Sequence, residues 1–490
     1  MPQQDKKPEW TITIDSFGGF VPAWFEGSYP FYGNKNQAAD MKNINIIDPN
    51  VLTQGPGVAN LTNGTQAGAV TTLIKGILRI AVVNDQTYAT GGNKLYQLSS
   101  SAVTNAGIWP HTIDKATVTG EDGDDVIYYK SNLYYFYNHS GSAGDIGKYD
   151  LATTFDDDWG STVPSGSEAL QSAPHQAIHG GDDDCYFTNG RYIGAIRANG
   201  VLEVQALDFW ENSQTVSVTW NGNRVAIALN RPNIAGSNFS QSGIYYWNGV
   251  SSSWEGDPVE VSGQIGALYT KNGVTFMWWQ DGSDSAAYNF GYVSNGQARP
   301  IKRFTGSLPL FYQVGEYKGF VSWVSGGYIY LWGGRDVDLP VTLSQYVAGK
   351  YATIGGIATP FGELLIASYT GSNYSLGKPS GYTVDSNYKL KPFKVSSVGI
   401  VSQMDIIQIE TEQLSAGARA DFTLTYDKGK STLALDSIIY STANTTIHKI
   451  MSKGPIVEDF RLDIDFANGS IANPVKIRSI EISGYYIKKN

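Results

Sequence analysis

Carboxylates gather in three short runs of the sequence: Asp122, Asp124 and Asp125 in EDGDD, Asp156, Asp157 and Asp158 in FDDDW, and Asp182, Asp183 and Asp184 in GGDDDC. Closely spaced acids in a tight loop suit Ca2+, which takes roughly six to eight oxygen ligands from carboxylates and backbone carbonyls. The third run is the preferred ion candidate, because Gly180 and Gly181 let the backbone fold around Asp182, Asp183 and Asp184. None of the runs has the spacing of an EF-hand loop. The plainer reading of all three is solvated turn residues.

Two carboxylates about 5–10 Å apart would also serve glycoside hydrolysis. The sequence singles out no such pair, and the S-x-D-x-G-x-x-W box of sialidase propellers is not spelled; TFDDDWGS and SSSWEGDP lack its spacing. The five histidines are His111, His139, His175, His179 and His448, with one i,i+4 pair in PHQAIHG. On a helix that spacing would align two imidazoles, but HEXXH is absent and Pro174 and Gly180 bracket a strand-like stretch, so strand and loop histidines are expected. Neither a G-x-S-x-G elbow nor a GxxxxGK[ST] phosphate loop occurs. The one cysteine, Cys185, excludes an internal disulfide and a Cys-based zinc site and reads as an inert buried thiol. No catalytic residue and no cofactor is therefore assigned, and a non-enzyme is expected.

The elements that must position any site are strands and turns. The 490 residues include 55 Gly, 31 Tyr, 19 Phe and 12 Trp, and only 16% are charged, against about 25% in ordinary globular chains. Aromatics fit pleated, half-buried surfaces and glycine makes tight turns. The formal net charge of −10 repels phosphate backbones and anionic lipid unless basic residues cluster. The nearest cluster, 389–394, is short and interrupted by Pro392. No apolar run of signal-peptide type follows the first charges, and the longest apolar stretch, 73–83, carries Lys75 and Arg79. Neither secretion by a leader nor a membrane anchor is expected.

Residues 1–65 lack sustained alternation and are dense in Asn, Gly and Pro, yet carry Trp10, Phe17, Phe20, Trp24, Phe25, Tyr29, Phe31 and Tyr32. Disordered segments are poor in aromatics, so an ordered, extended arm lying across a partner is expected, with Trp10, Phe20, Trp24, Phe25, Tyr29, Phe31 and Tyr32 as its contact residues. From 66 to 394 a unit recurs: a turn such as Asn-Gly, an aromatic strand, a second turn and a second strand. Taking Asn93, Asn132, Asn189, Asn221, Asn272, Lys318 and Phe361 as markers, the period is about 45 residues, the signature of four-stranded β-propeller blades. Seven markers suggest seven blades, with six or eight left open. The adjacent Trp278 and Trp279 must point to opposite faces of their strand, so one is expected to face a neighbouring blade. From 395 to 490 the strands lengthen and alternate with polar outward positions, as a two-sheet sandwich requires. The fold expected is all-β: an arm at 1–65, a propeller at 66–394 and a β-sandwich at 395–490.

The opening stretch DSFGGFVPAWFEGSYPFYGNKNQAADMKNINIIDPNVLTQGPGVANLTNGT resembles the start of structural proteins from tailed bacteriophages, in which an extended arm precedes a propeller. The resemblance covers the arm most clearly and the propeller only by texture. It implies a virion component of the tail or tail nozzle, assembled in the cytoplasm of the host bacterium. Its partners would be other virion proteins and further copies of itself in a ring around a DNA channel, with DNA passing through without specific binding and a host glycan as a further contact. No functional residue is carried over, because that family is defined by architecture. The alternative is a carbohydrate-binding or glycan-hydrolysing propeller with a sugar-binding sandwich domain.

Overall fold

The computed structural model describes residues 9–17, 38–42, 44–45, 50–55, 57–60, 79–83, 86–98, 108–114, 121–139, 142–162, 170–231, 241–282, 284–332, 343–347, 353–370, 373–380, 386–390, 392–395, 400–442, 445–467 and 472–488. Among them helix is confined to Trp159–Thr162 and two single 3-10 turns, and no helix is long and apolar enough to cross a membrane. The chain divides into two compact units. One joins Met1–Val58, Tyr328–Gly349 and Pro379–Asn490; the other joins Ala59–Gly327 and Lys350–Lys378.

The larger unit is a β-propeller. Blade 1 runs Arg79–Val83, Gln86–Gly91, Lys94–Leu98, His111–Thr112; blade 2 runs Glu121–Tyr129, Asn132–His139, Ser142–Tyr149, Phe155–Asp156. Blade 3 runs Ala177–His179, Cys185–Asn189, Tyr192–Ile196, Leu202–Asp208, and blade 4 Gln214–Asn221, Arg224–Asn230, Gln241–Trp247, Glu255–Ser262. Blade 5 is Ile265–Lys271, Val274–Asp281, Asp284–Ser294, Gln297–Thr305. The unit also holds the inner hairpin of blade 6, Val314–Tyr317 with Phe320–Ser325. Blade 7 is Thr353–Ala358, Leu365–Thr370 and Asn373–Ser380, with Gly57–Asn60 from far upstream as its outer strand. Each first strand lies against the first strand of the next blade, and Thr353–Ala358 lies against Arg79–Val83, so the series closes on itself after seven.

Local chemistry explains the meander. In the tight turn between the first two strands of blade 5, Asn272 and Gly273 have φ of 50° and 78°, the left-handed pair that a two-residue hairpin demands. Along Asn132–His139 the side chains alternate. Leu133, Tyr135 and Tyr137 join the cluster shared with blade 1, while Tyr134 and Phe136 join the one shared with blade 3. Both sheet faces are therefore core, which is why the strands read as near-continuous aromatic runs. Trp278 and Trp279 obey the same rule: Trp278 packs on Phe290 and Trp323, and Trp279 on the cluster containing Ala226 and Ile244 of blade 4.

The smaller unit is a two-sheet sandwich. One sheet orders Trp10–Ile14, Ile477–Lys488, Ile400–Thr411, Ile447–Ser452; the other orders Ala38–Lys42, Asn387–Leu390, Asp459–Asp465, Arg419–Tyr426, Ser431–Ala434. Ring stacking of Trp10 on Phe460 bridges the two at 6.2 Å. The described strands of the N-terminal segment are thus built into their own chain, where the sequence suggested an arm for a neighbour. Trp10–Ile14 pairs antiparallel with Gly484–Ile480, and the Trp10 indole occupies the space a side chain at Gly484 would need, 2.4 Å from a Cβ built there. The sandwich accordingly draws on residues well before 395.

Candidate functional site at the propeller axis

The first strands that ring the axis are mostly apolar, because each is buried between its own blade and the next. Two of their polar residues sit beside one-residue register shifts, Asp125 at Gly123/Asp125 in blade 2 and Ser217 at Thr215/Ser217 in blade 4. A bulge re-aims a side chain out of the regular alternation. In blades 2 and 4 it turns Asp125 and Ser217 toward the backbone of the following blade, and Gln176, just ahead of the first strand of blade 3, reaches the next blade without one. Asp125 Oδ2 accepts the Ala177 N–H at 2.8 Å, Gln176 Oε1 accepts the Val218 N–H at 2.9 Å, and Ser217 Oγ accepts the Leu268 N–H at 2.9 Å. Ser217 also donates its hydroxyl to Gln176 Oε1 at 2.8 Å. The three acceptors hold corresponding places in consecutive blades, so together they form a ladder of hydrogen bonds between inner strands.

Charged residues extend the ladder. Arg79 Nε donates to Asp125 Oδ1 at 3.1 Å, Arg79 also donates to the Phe311 carbonyl at 3.3 Å, and its guanidinium lies over the Phe311 ring. Burial pushes the Asp125 carboxyl up, opposed by the Arg79 charge and three hydrogen bonds. Glu316 Oε1 accepts Lys271 Nζ at 3.0 Å, and Oε2 accepts the Tyr269 hydroxyl at 3.3 Å. Burial and the Glu316 carboxylate push the Tyr269 phenol up. Between these groups lies a cavity of about 290 Å³ whose walls include Arg79, Gln176, Tyr269, Phe311, Glu316 and Ser322.

The residues singled out in the sequence are distributed differently. Asp182 Oδ2 accepts the Tyr186 hydroxyl and Oδ1 the Asp184 N–H; the carbonyl of Asp183 accepts the Tyr129 hydroxyl at 2.6 Å. Asp184 pairs with Arg197 at 2.9 Å and accepts the Ala198 N–H at 2.7 Å. A guanidinium supplies the positive charge this run would otherwise draw from Ca2+. Among the described residues no group of three or more His, Cys, Asp or Glu side chains is placed to hold a metal. Asp157 is bound by His111, by the Asp114 N–H and by the Tyr135 hydroxyl. Asp124 accepts Asn138 Nδ2 at 2.5 Å and the His175 N–H at 3.1 Å, and burial holds its carboxyl well above the carboxylate range.

The i,i+4 histidines do not converge. Nδ1 of the fully buried His175 donates to the Thr188 carbonyl at 2.8 Å, and burial lowers its pKa to about 4. His179 donates to the Tyr128 carbonyl. The Cys185 thiol is buried and its pKa pushed up by that burial. Of the expected contact residues, Trp10 is buried in its own sandwich, while Phe20, Trp24, Phe25, Tyr29, Phe31 and Tyr32 lie outside the described residues. Sequence reasoning missed the axial set of Arg79, Gln176, Tyr269, Glu316 and Ser322. For Gln176 the signal available was a polar residue directly before an apolar one at the corresponding place of successive blades, in DDVI, HQAI and TVSV.

No family model and no curated protein matches the chain. Among solved structures, a mitotic checkpoint complex chain matches at 12% identity, covering 64% of this chain and 94% of that one, with a TM-score of 0.43. The two extracellular domains of Drosophila semaphorin 1b match at 8% identity over 65% and 88%, TM-score 0.42. An exo-β-1,3-galactanase from Phanerochaete chrysosporium, bound to galactose, matches at 10% identity over 86% and 98%, TM-score 0.30. Likeness at this level carries no functional argument.

Proposed function

We propose that this chain is a non-enzymatic structural subunit of a tailed-bacteriophage particle, forming a ring with other copies around the DNA channel in the tail or at the head-tail or tail-tip region. The N-terminal resemblance supplies the particle. The observation that carries the non-enzymatic part is the state of the axis. Glycoside hydrolysis calls for two carboxylates flanking the bond, and the residues lining the axial cavity include one, Glu316, already engaged by Lys271 and Tyr269. An acidic chain suits a channel wall, since net negative charge keeps DNA from adhering.

The test is assembly. The purified chain, alone and mixed with the other proteins of the particle, is followed by light scattering and electron microscopy, with hydrolysis of host surface polysaccharide measured in parallel. Ring formation or incorporation without sugar release is expected. A chain that stays monomeric and binds nothing from the particle, or that cleaves polysaccharide, overturns the reading.

A further inference from the structure

The axial cavity holds one feature that the hydrogen-bond ladder does not explain. Ser322, on the second strand of blade 6, is fully buried and lines the cavity, yet its hydroxyl has no partner among the described residues. A buried hydroxyl is ordinarily hydrogen-bonded, because losing water without replacement is unfavourable. Ser322 faces Gly315 across the hairpin. A Cβ built at Gly315 meets nothing nearer than Ser322 Oγ, at 4.0 Å. The missing side chain at Gly315 therefore leaves room in front of an unsatisfied hydroxyl, on a wall of the cavity.

We propose that this cavity binds a neutral polyhydroxylated ligand about the size of one sugar ring. Its charges are already matched in pairs, Arg79 with Asp125 and Lys271 with Glu316, so an ion entering would have to displace a protein partner. A hydroxyl both donates and accepts. It can give a hydrogen bond to the remaining lone pairs of Glu316, whose side chain is 39% exposed, and exchange one with Ser322. Phe311, Val314 and Ile357 supply apolar wall for the carbon skeleton. Polar and apolar groups share the lining about equally, which suits a ring of hydroxyls on a carbon skeleton, and the volume falls just below the roughly 300–1,000 Å³ of drug-sized sites. The proposal is independent of assembly.

The test uses the full chain and a panel of neutral monosaccharides, namely glucose, galactose, mannose and N-acetylglucosamine, with glucuronate as the ionic arm, read by saturation-transfer NMR and calorimetry. At least one neutral sugar is expected to bind, and glucuronate to bind more weakly. Ser322→Ala should weaken that sugar roughly tenfold while the melting temperature holds. Gly315→Val, whose Cβ has open space up to Ser322 Oγ at 4.0 Å, should abolish binding. No neutral sugar bound at 50 mM, a preference for glucuronate, or full affinity retained in both variants overturns the proposal; a high-resolution map with ordered water alone in the cavity at saturating sugar does the same.

Discussion

His175 shows how a single buried side chain ties the fold to pH. Its imidazole is neutral in the folded chain because burial opposes charge, with a pKa near 4 against an ordinary value of 6.5. The unfolded chain begins to bind this proton below pH 6.5 and the folded chain only near pH 4. The contribution of His175 is therefore complete above pH 6.5 and is lost as pH falls toward 4, by about 3 kcal/mol in total. Asp124, which accepts the His175 N–H, has the opposite sign. Its raised pKa means stability that is present at low pH and lost as pH rises past the ordinary carboxylate range. Measured in an Asp124→Asn background, the melting temperature of the His175 protein should fall faster between pH 6.5 and 4 than that of His175→Gln. Parallel curves would mean that the imidazole is charged, or solvated, in the fold.

At the scale of elements, the hydrogen-bond ladder makes neighbouring blades interdependent. Replacing Gln176 by methionine keeps the shape but removes the acceptor of the Val218 N–H and of the Ser217 hydroxyl. Two buried donors left unpaired, at about 1–3 kcal/mol each, should destabilise the propeller by about 2–6 kcal/mol, seen as a lower urea midpoint; an unchanged midpoint would remove the ladder from the account. Blades were legible in the sequence where both faces of a strand are buried, since YYFY and MWWQ can only alternate between two cores. The phase of the repeat was less so. Asn132, Asn221, Asn272 and Lys318 mark the turn between first and second strands, but Asn93 and Asn189 belong to the next turn, because both turns select the same residue types. The axial site was illegible for a related reason. Gln176 and Ser217 look like noise in the sequence until the structure shows each reaching the backbone of the next blade.

At the scale of the whole chain, two long-range pairings escaped sequence reasoning. Gly57–Asn60 closes the last blade from some three hundred residues upstream, and Trp10–Ile14 lies along the far C-terminal strand. Neither segment carries a local signal for its partner, as antiparallel register between distant strands is set by side-chain fit, here Trp10 over Gly484. Everything proposed for the axis depends on closure after seven blades. An experimental density map of the full chain tests this most directly. Seven sheets should surround the axis, with Thr353–Ala358 beside Arg79–Val83 and Gly57–Asn60 as the outermost strand of the seventh. Six or eight sheets, or an open arc with those two first strands apart, would contradict it.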